Sequence, residues 1–165
     1  MGYNIYERIL GSLLGAAIGD AMGAATEGRS IRQIEEYFGH RVTDSEITPE
    51  DTFGCGNKPG HVTDDFSSAY FLAQSIVANG GKVEEGVVKE GLIEWSEHSV
   101  FFDRFAGPTT RAAIRRMKGD KIEEESGIKI STRQATNGAS MRISPIGMLN
   151  PGNLEAALED SIKVT

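Results

Sequence analysis

Apolar residues recur at helical spacing along most of the chain. Between Tyr3 and Met22, the residues Ile5, Ile9, Leu13 and Ala17 repeat every four positions, the stripe of an amphipathic helix. Gly11, Gly15, Gly19 and Gly23 repeat at the same interval on another face. Each glycine inside a helix costs about 1 kcal/mol against alanine. The stripe therefore predicts a buried central helix whose glycine face is packed against a neighbouring backbone. Ser30 and Gln33 have the spacing of a capping box. They predict a short helix with Ile34, Tyr37 and Phe38 on one face, closed by Gly39. From His40 to Gly60 the chain shows Gly, Pro, Asp and Thr with little periodicity. That predicts a long loop, which in a compact domain is more often functional than idle.

Thr63 has the character of a helix N-cap. Phe66, Ala69, Tyr70, Ala73, Ile76 and Val77 follow it as one face, and Asn79-Gly80-Gly81 closes the helix. A further helix is expected over about Val83 to Glu97, with Val87, Val88, Leu92 and Trp95 inside. Gly107-Pro108 opens the next, with proline at its first position, and Ala113, Ile114 and Met117 form its inner face up to Gly119. Residues 120–152 read as irregular, broken by Asn137-Gly138, Pro145 and Pro151. Asn153 caps a last helix carrying Leu154, Ala157, Leu158 and Ile162. No run alternates as a half-buried strand does, so the expected fold class is all-α.

Composition narrows the picture. The 165 residues, with 39% hydrophobic and 25% charged, suit one globular domain able to bury roughly 70% of its unfolded surface. The 20 glycines exceed the typical ~7% share and sit at the joints of helical segments. They point to tight turns and close backbone approaches. The formal charge of -7 disfavours a nucleic-acid footprint, which needs clustered Lys and Arg. The nearly apolar run Ile9–Ile18 is shorter than the ~20 residues a membrane span requires. With a single cysteine, Cys55, and no secretory pattern at the N-terminus, the expectation is a reduced, soluble, cytoplasmic protein.

Several residues are candidates for chemistry. Thr63, Asp64 and Asp65 stand at a helix start, where a cap and two acids complement the helix dipole. The same hydroxyl and carboxylates are oxygen donors of the kind Mg²⁺ takes. Glu27 lies among small residues, Gly23-Ala24-Ala25-Thr26-Glu27-Gly28, which leave room beside it. Asn137, Gly138, Ala139, Ser140, Met141 and Arg142 offer backbone N–H groups, an amide, a hydroxyl and a guanidinium, a combination that suits phosphate. It also reads as an ordinary turn with a surface arginine. Gly107-Pro108-Thr109-Thr110-Arg111 is chiefly a helix start. His40, His61 and His98 have no metal-ligand spacing, Cys55 reads as a small loop residue, and Lys121–Glu125 as a solvated charged stretch.

Taken in order, these pieces resemble one family. Leu14-Gly15-Ala16-Ala17-Ile18-Gly19-Asp20-Ala21-Met22-Gly23, then Glu27, Thr63-Asp64-Asp65, Gly107 to Arg111, and Asn137 to Arg142 followed by Ile143-Ser144-Pro145-Ile146-Gly147 are similar to the ADP-ribosylglycohydrolases. The resemblance covers nearly the whole chain. It implies an all-α orthogonal multi-helix bundle, of which residues 1–165 form the N-terminal part of a single domain, with a two-ion Mg²⁺ site in a cleft. By the resemblance, Thr63, Asp64 and Asp65 match a metal-binding block. Glu27 and Asp65 match catalytic positions, and Asn137 to Arg142 match the loop that holds ADP-ribose.

The implied reaction is hydrolysis of an N- or O-glycosidic bond through an oxocarbenium-like state. Two ions about 3.5–4 Å apart orient the ribose and activate water, and Glu27 takes a proton from that water or gives one to the leaving group. The implied partners are ADP-ribose or an ADP-ribosylated protein. Members of the family run to roughly twice this length, and their distal metal block of Asp-x-Asp-Thr or Ser type has no counterpart here. Phe66 stands where Thr is common, and Phe105 where some members carry Asp. The expectation is an incomplete, inactive portion that binds metal weakly, either awaiting a second polypeptide or self-associating as a homo-oligomer. The alternative is a non-catalytic helical module that binds a nucleotide or a protein.

Overall fold

A computed structural model describes residues 4–54, 56–120 and 137–165. Cys55 and Lys121–Glu125, named above, lie outside the described residues. Among those described, every regular element is helical, in agreement with the expected class: α1 Ile5–Gly23, α2 Ile31–Phe38, α3 Asp64–Ala78, α4 Glu85–Ser96, α5 Ser99–Phe105, α6 Pro108–Lys118, α7 Ser144–Leu149 and α8 Leu154–Val164, with a 3-10 turn at Ser140–Arg142. The chain divides into two compact units, Met1–Phe66 and Ser67–Thr165.

In the first unit, Asn4 caps α1 by accepting from Tyr6 N at 3.0 Å. α2 begins with the expected capping box between Ser30 and Gln33, and ends on Gly39 in the left-handed region. The described residues of the expected loop, His40 to Gly60, are without helix, and the loop is packed. Thr48, Pro49 and Asn57 are buried, and Thr48 Oγ1 donates to Asn57 O at 3.1 Å. A Cβ on Gly54 would stand 2.7 Å from Thr48 Cγ2 and 3.5 Å from the Ala24 side chain, so the loop closes on the end of α1 only with glycine there.

α1 itself departs from expectation. Ala21 is its one buried residue, and Leu10, Leu14 and Ile18 are exposed. A Cβ added at Gly11, Gly15, Gly19 or Gly23 would meet nothing within 4 Å. Among the described residues no close backbone matches the glycine stripe, and its propensity cost stands. Gly15→Ala is therefore expected to raise the unfolding free energy by about 1 kcal/mol.

The second unit holds the main core. Leu72 and Ile76 of α3, Val87, Val88 and Leu92 of α4, Ile114 of α6, Ile146 of α7 and Val164 of α8 form one buried cluster with Val83. α4 is its hub, touching α5, α6 and α8. Here a glycine is needed for a close approach: a Cβ at Gly91 would stand 2.9 Å from Ser75 Oγ and 3.3 Å from Leu72 Cα. Gly91→Ala is expected to cost about 1 kcal/mol despite its better helix propensity, because overpacking moves backbone. Chemical denaturation of Gly91→Ala and Gly15→Ala against the parent checks both signs.

Three expectations are corrected here. α5 was not anticipated, and α7 lies inside the stretch read as irregular, with Pro145 in its first turn rather than acting as a breaker. α8 packs through Val164 and leaves Leu154, Leu158 and Ile162 exposed, so the expected face is the outer one.

Candidate active site

The first unit brings the acidic candidates together through a residue that sequence reasoning did not single out. Asp20, near the C-terminal end of α1, accepts from Thr63 N at 2.8 Å, from Thr63 Oγ1 at 2.7 Å and from Phe66 N at 3.0 Å. The N–H of Phe66 is one that an N-cap side chain ordinarily satisfies. Asp20 therefore caps α3 from outside it. Thr63 caps more weakly, accepting from Asp65 N at 3.4 Å. The signal for Asp20 was present: it is the only charged residue between Arg8 and Glu27. A lone charge on an apolar helix segment needs a partner when it packs.

Asp64 and Asp65 occupy the first turn of α3, both half-buried. Burial raises the Asp64 carboxyl from the usual 3.8 to about 6, and the charges of Asp65, Asp20 and Glu27 push the same way, against a backbone hydrogen bond that lowers it. Asp65 is also raised, first by burial and then by Asp20 and Glu27. Glu27 is exposed, yet its charge is felt at both aspartates. Among the described residues no hydrogen bond ties Glu27 to either aspartate; its charge adds to the rise of both.

The loop candidates sit in the second unit. Asn137, Gly138 and Ala139 form a turn, and Ser140, Met141 and Arg142 the 3-10 turn, with Met141 N donating to Asn137 O at 3.0 Å. Arg142 is not a surface arginine. Its Nη2 donates to Val164 O at 3.4 Å, its Nε is buried without a hydrogen-bond partner among the described residues, and burial lowers its pKa. Arg111, by contrast, is structural. It donates to the carbonyls of Phe102, Asp103 and Ala106 at the end of α5, with its guanidinium 5.1 Å from the Phe102 ring centroid.

The sequence model of the ADP-ribosylglycohydrolases matches residues 1–165. The chain belongs to the ADP-ribosylglycohydrolase family. It is 29% identical to the ADP-ribosyl-dinitrogen reductase glycohydrolase of Rhodospirillum rubrum, over 99% of this chain and 53% of that protein. It is 28% identical to the ADP-ribosylarginine hydrolase Tri1 of Pseudomonas putida, over 94% of this chain and 40% of that protein. With the uncharacterized protein YegU of Escherichia coli the identity is 30%, over 93% and 46%. The chain spans about half the length of the curated relatives it matches.

Within this family member, Thr63, Asp64 and Asp65 present oxygen donors only. Their chemistry fits a hard divalent cation, which also relieves repulsion among clustered carboxylates. Among the described residues no group of three or more His, Cys, Asp or Glu closes around one point. Three residues offer fewer oxygens than the six that such an ion takes. No described helix is long and apolar enough to cross a membrane.

Proposed function

We propose that the chain supplies the hydroxyl-and-carboxylate side of a Mg²⁺ site in a hydrolase that releases ADP-ribose from a protein side chain or a small molecule. The observation that carries this reading is the placing of Thr63, Asp64 and Asp65 together at the start of α3, in a turn tied to Asp20 by hydrogen bonds of 2.7–3.0 Å, where burial and the charges of Asp65, Asp20 and Glu27 raise the Asp64 carboxyl. Such a field favours a divalent cation. The names of the Rhodospirillum and Pseudomonas relatives supply the substrate class.

Thr63, Asp64 and Asp65 would hold the cation, and Glu27 would take the proton of the attacking water. When bound, the metal supplies charge stabilisation for an anionic substrate in an acidic setting. Taken by itself, the turn Asn137 to Arg142 would suit a diphosphate through its N–H groups and the Arg142 guanidinium, whose buried Nε has no hydrogen-bond partner among the described residues. Hydrolysis of the glycosidic bond passes through an oxocarbenium-like state, so the carboxylates also stabilise developing positive charge on the ribose.

The second reading, a helical module that binds ADP-ribose or a protein without turning it over, is favoured by the partial donor set. The test is ADP-ribose release from ADP-ribosylarginine, with Mg²⁺ and with chelator, comparing the natural polypeptide with Asp65→Ala. Metal-dependent release that the substitution abolishes is the expected result. Calorimetric binding of ADP-ribose with no release under any condition supports the module instead. The 165 residues alone are expected to bind Mg²⁺ weakly, and sub-micromolar binding at two sites contradicts that.

A further inference from the structure

We infer that Asp20 is the positioning residue of the site, acting through the hydroxyl of Thr63. The inference rests on the hard-cation reading above. A threonine hydroxyl has one proton to give and two lone pairs. Thr63 gives its proton to Asp20 Oδ1 at 2.7 Å. Toward every other neighbour Oγ1 is then an acceptor, the only role in which a hydroxyl ligates a cation. At the same time Asp20 Oδ2 takes the N–H groups of Thr63 and Phe66, at 2.8 and 3.0 Å. This fixes the turn from which Asp64 and Asp65 project. One carboxylate on α1 thus sets both the direction of the hydroxyl dipole and the backbone of the first turn of α3. A neutral cap of the same size cannot do both. An asparagine has one acceptor oxygen for three donors, and its amide must face either an N–H or the Thr63 hydroxyl, turning that hydroxyl around.

The two roles separate experimentally. Mn²⁺ uptake by the natural polypeptide, read from the loss of the free-ion paramagnetic resonance signal, reports the ligand role. Thermal unfolding in chelator reports the cap. Asp20→Asn is expected to weaken Mn²⁺ uptake 10- to 100-fold, the range for groups that orient metal ligands. In a Thr63→Val background the same substitution is expected to change uptake less than two-fold while still lowering the melting temperature. A purely structural Asp20 predicts equal loss in both backgrounds, and that result overturns the inference. So does undiminished uptake by a folded Asp20→Asn. If wild type takes up no Mn²⁺, the hard-cation reading falls and this inference with it. If Asp20→Asn does not fold, Thr63→Ser and Thr63→Val decide. Serine keeps the donated proton and should stay within two-fold of wild type, valine should lose at least 10-fold, and equal loss in both overturns the proposal.

Discussion

Replacing Trp95 with alanine is expected to lower the unfolding free energy by roughly 3–5 kcal/mol, the range for truncating a large buried aromatic side chain. Trp95 is fully buried on α4, the helix that touches α5, α6 and α8. Its ring meets Phe102 edge-on with centroids 5.2 Å apart, and its Nε1 donates to Ser67 Oγ at 3.0 Å. Truncation removes the ring contacts, the hydrogen bond and the fill of the space beside α5 at once. Few neighbours can collapse into the gap, because Gly91, one turn earlier, already holds α4 hard against α3. Trp95→Phe separates the terms. It keeps most of the apolar volume and loses the indole N–H, so it should cost about 1–2 kcal/mol. Trp95 is the only tryptophan, so the series must be followed by far-ultraviolet circular dichroism in denaturant. A loss below about 1 kcal/mol for the alanine variant would mean that the α4 core tolerates a cavity there.

That core was the most legible part of the chain. On α4, Val87, Val88, Leu92 and Trp95 follow a period of 3.6 and are buried by it, whereas on α3 the expected face held Ala69 and Ile76 but missed the buried Leu72 and included Tyr70 and Val77, which are exposed. α5 and α7 were not legible, because six or seven residues carry too few repeats of that period to stand out from a turn. Pro145 added to the error: the same residue starts a helix or ends one, and only its neighbours decide. Exposure on α1 and α8 was misread for a different reason. On α1 the expected stripe does hold the half-buried Ile9, Leu13 and Ala17, while Leu10, Leu14 and Ile18 beside it are exposed; periodicity shows that a helix has two faces, not how deeply either is buried. A glycine stripe is equally silent, since the missing Cβ looks the same in sequence whether a backbone lies against it or open space.

The helix start at Thr63, Asp64 and Asp65 was legible from its cap and its two acids. Asp20 was hidden in plain view inside a motif of small residues. Its role depends on a contact 43 positions away in sequence, and pattern reading within one segment has no access to that. Arg142 shows the same limit. Its charge was visible, but its anchoring to the last turn of α8 was not.

The second large effect concerns pH. In chelator, the stability of the chain is expected to rise as the pH falls from about 7 to about 4. The Asp64 carboxyl sits at about 6 when folded against 3.8 as its ordinary value, so between those values the folded state binds more protons than the unfolded one. Stability falls with pH wherever the folded state binds more protons. The contribution is therefore complete below about pH 4 and lost as the pH climbs through about 6. Asp65 adds in the same direction. The rise from 3.8 to about 6 corresponds to at most ~3 kcal/mol, and because Asp64 is only partly buried, screening reduces this to on the order of 1–2 kcal/mol. Asp64→Asn removes the ionisation while keeping the shape. The variant should be more stable than the parent at pH 7 and indistinguishable near pH 4, with a flatter profile between. Denaturant midpoints at half-unit steps of pH measure this. A parent whose stability climbs from pH 4 to 7, or a variant that is weaker at neutral pH, would mean that the ionised Asp64 is already well satisfied without a cation, and the charge argument for the metal site would lose its footing.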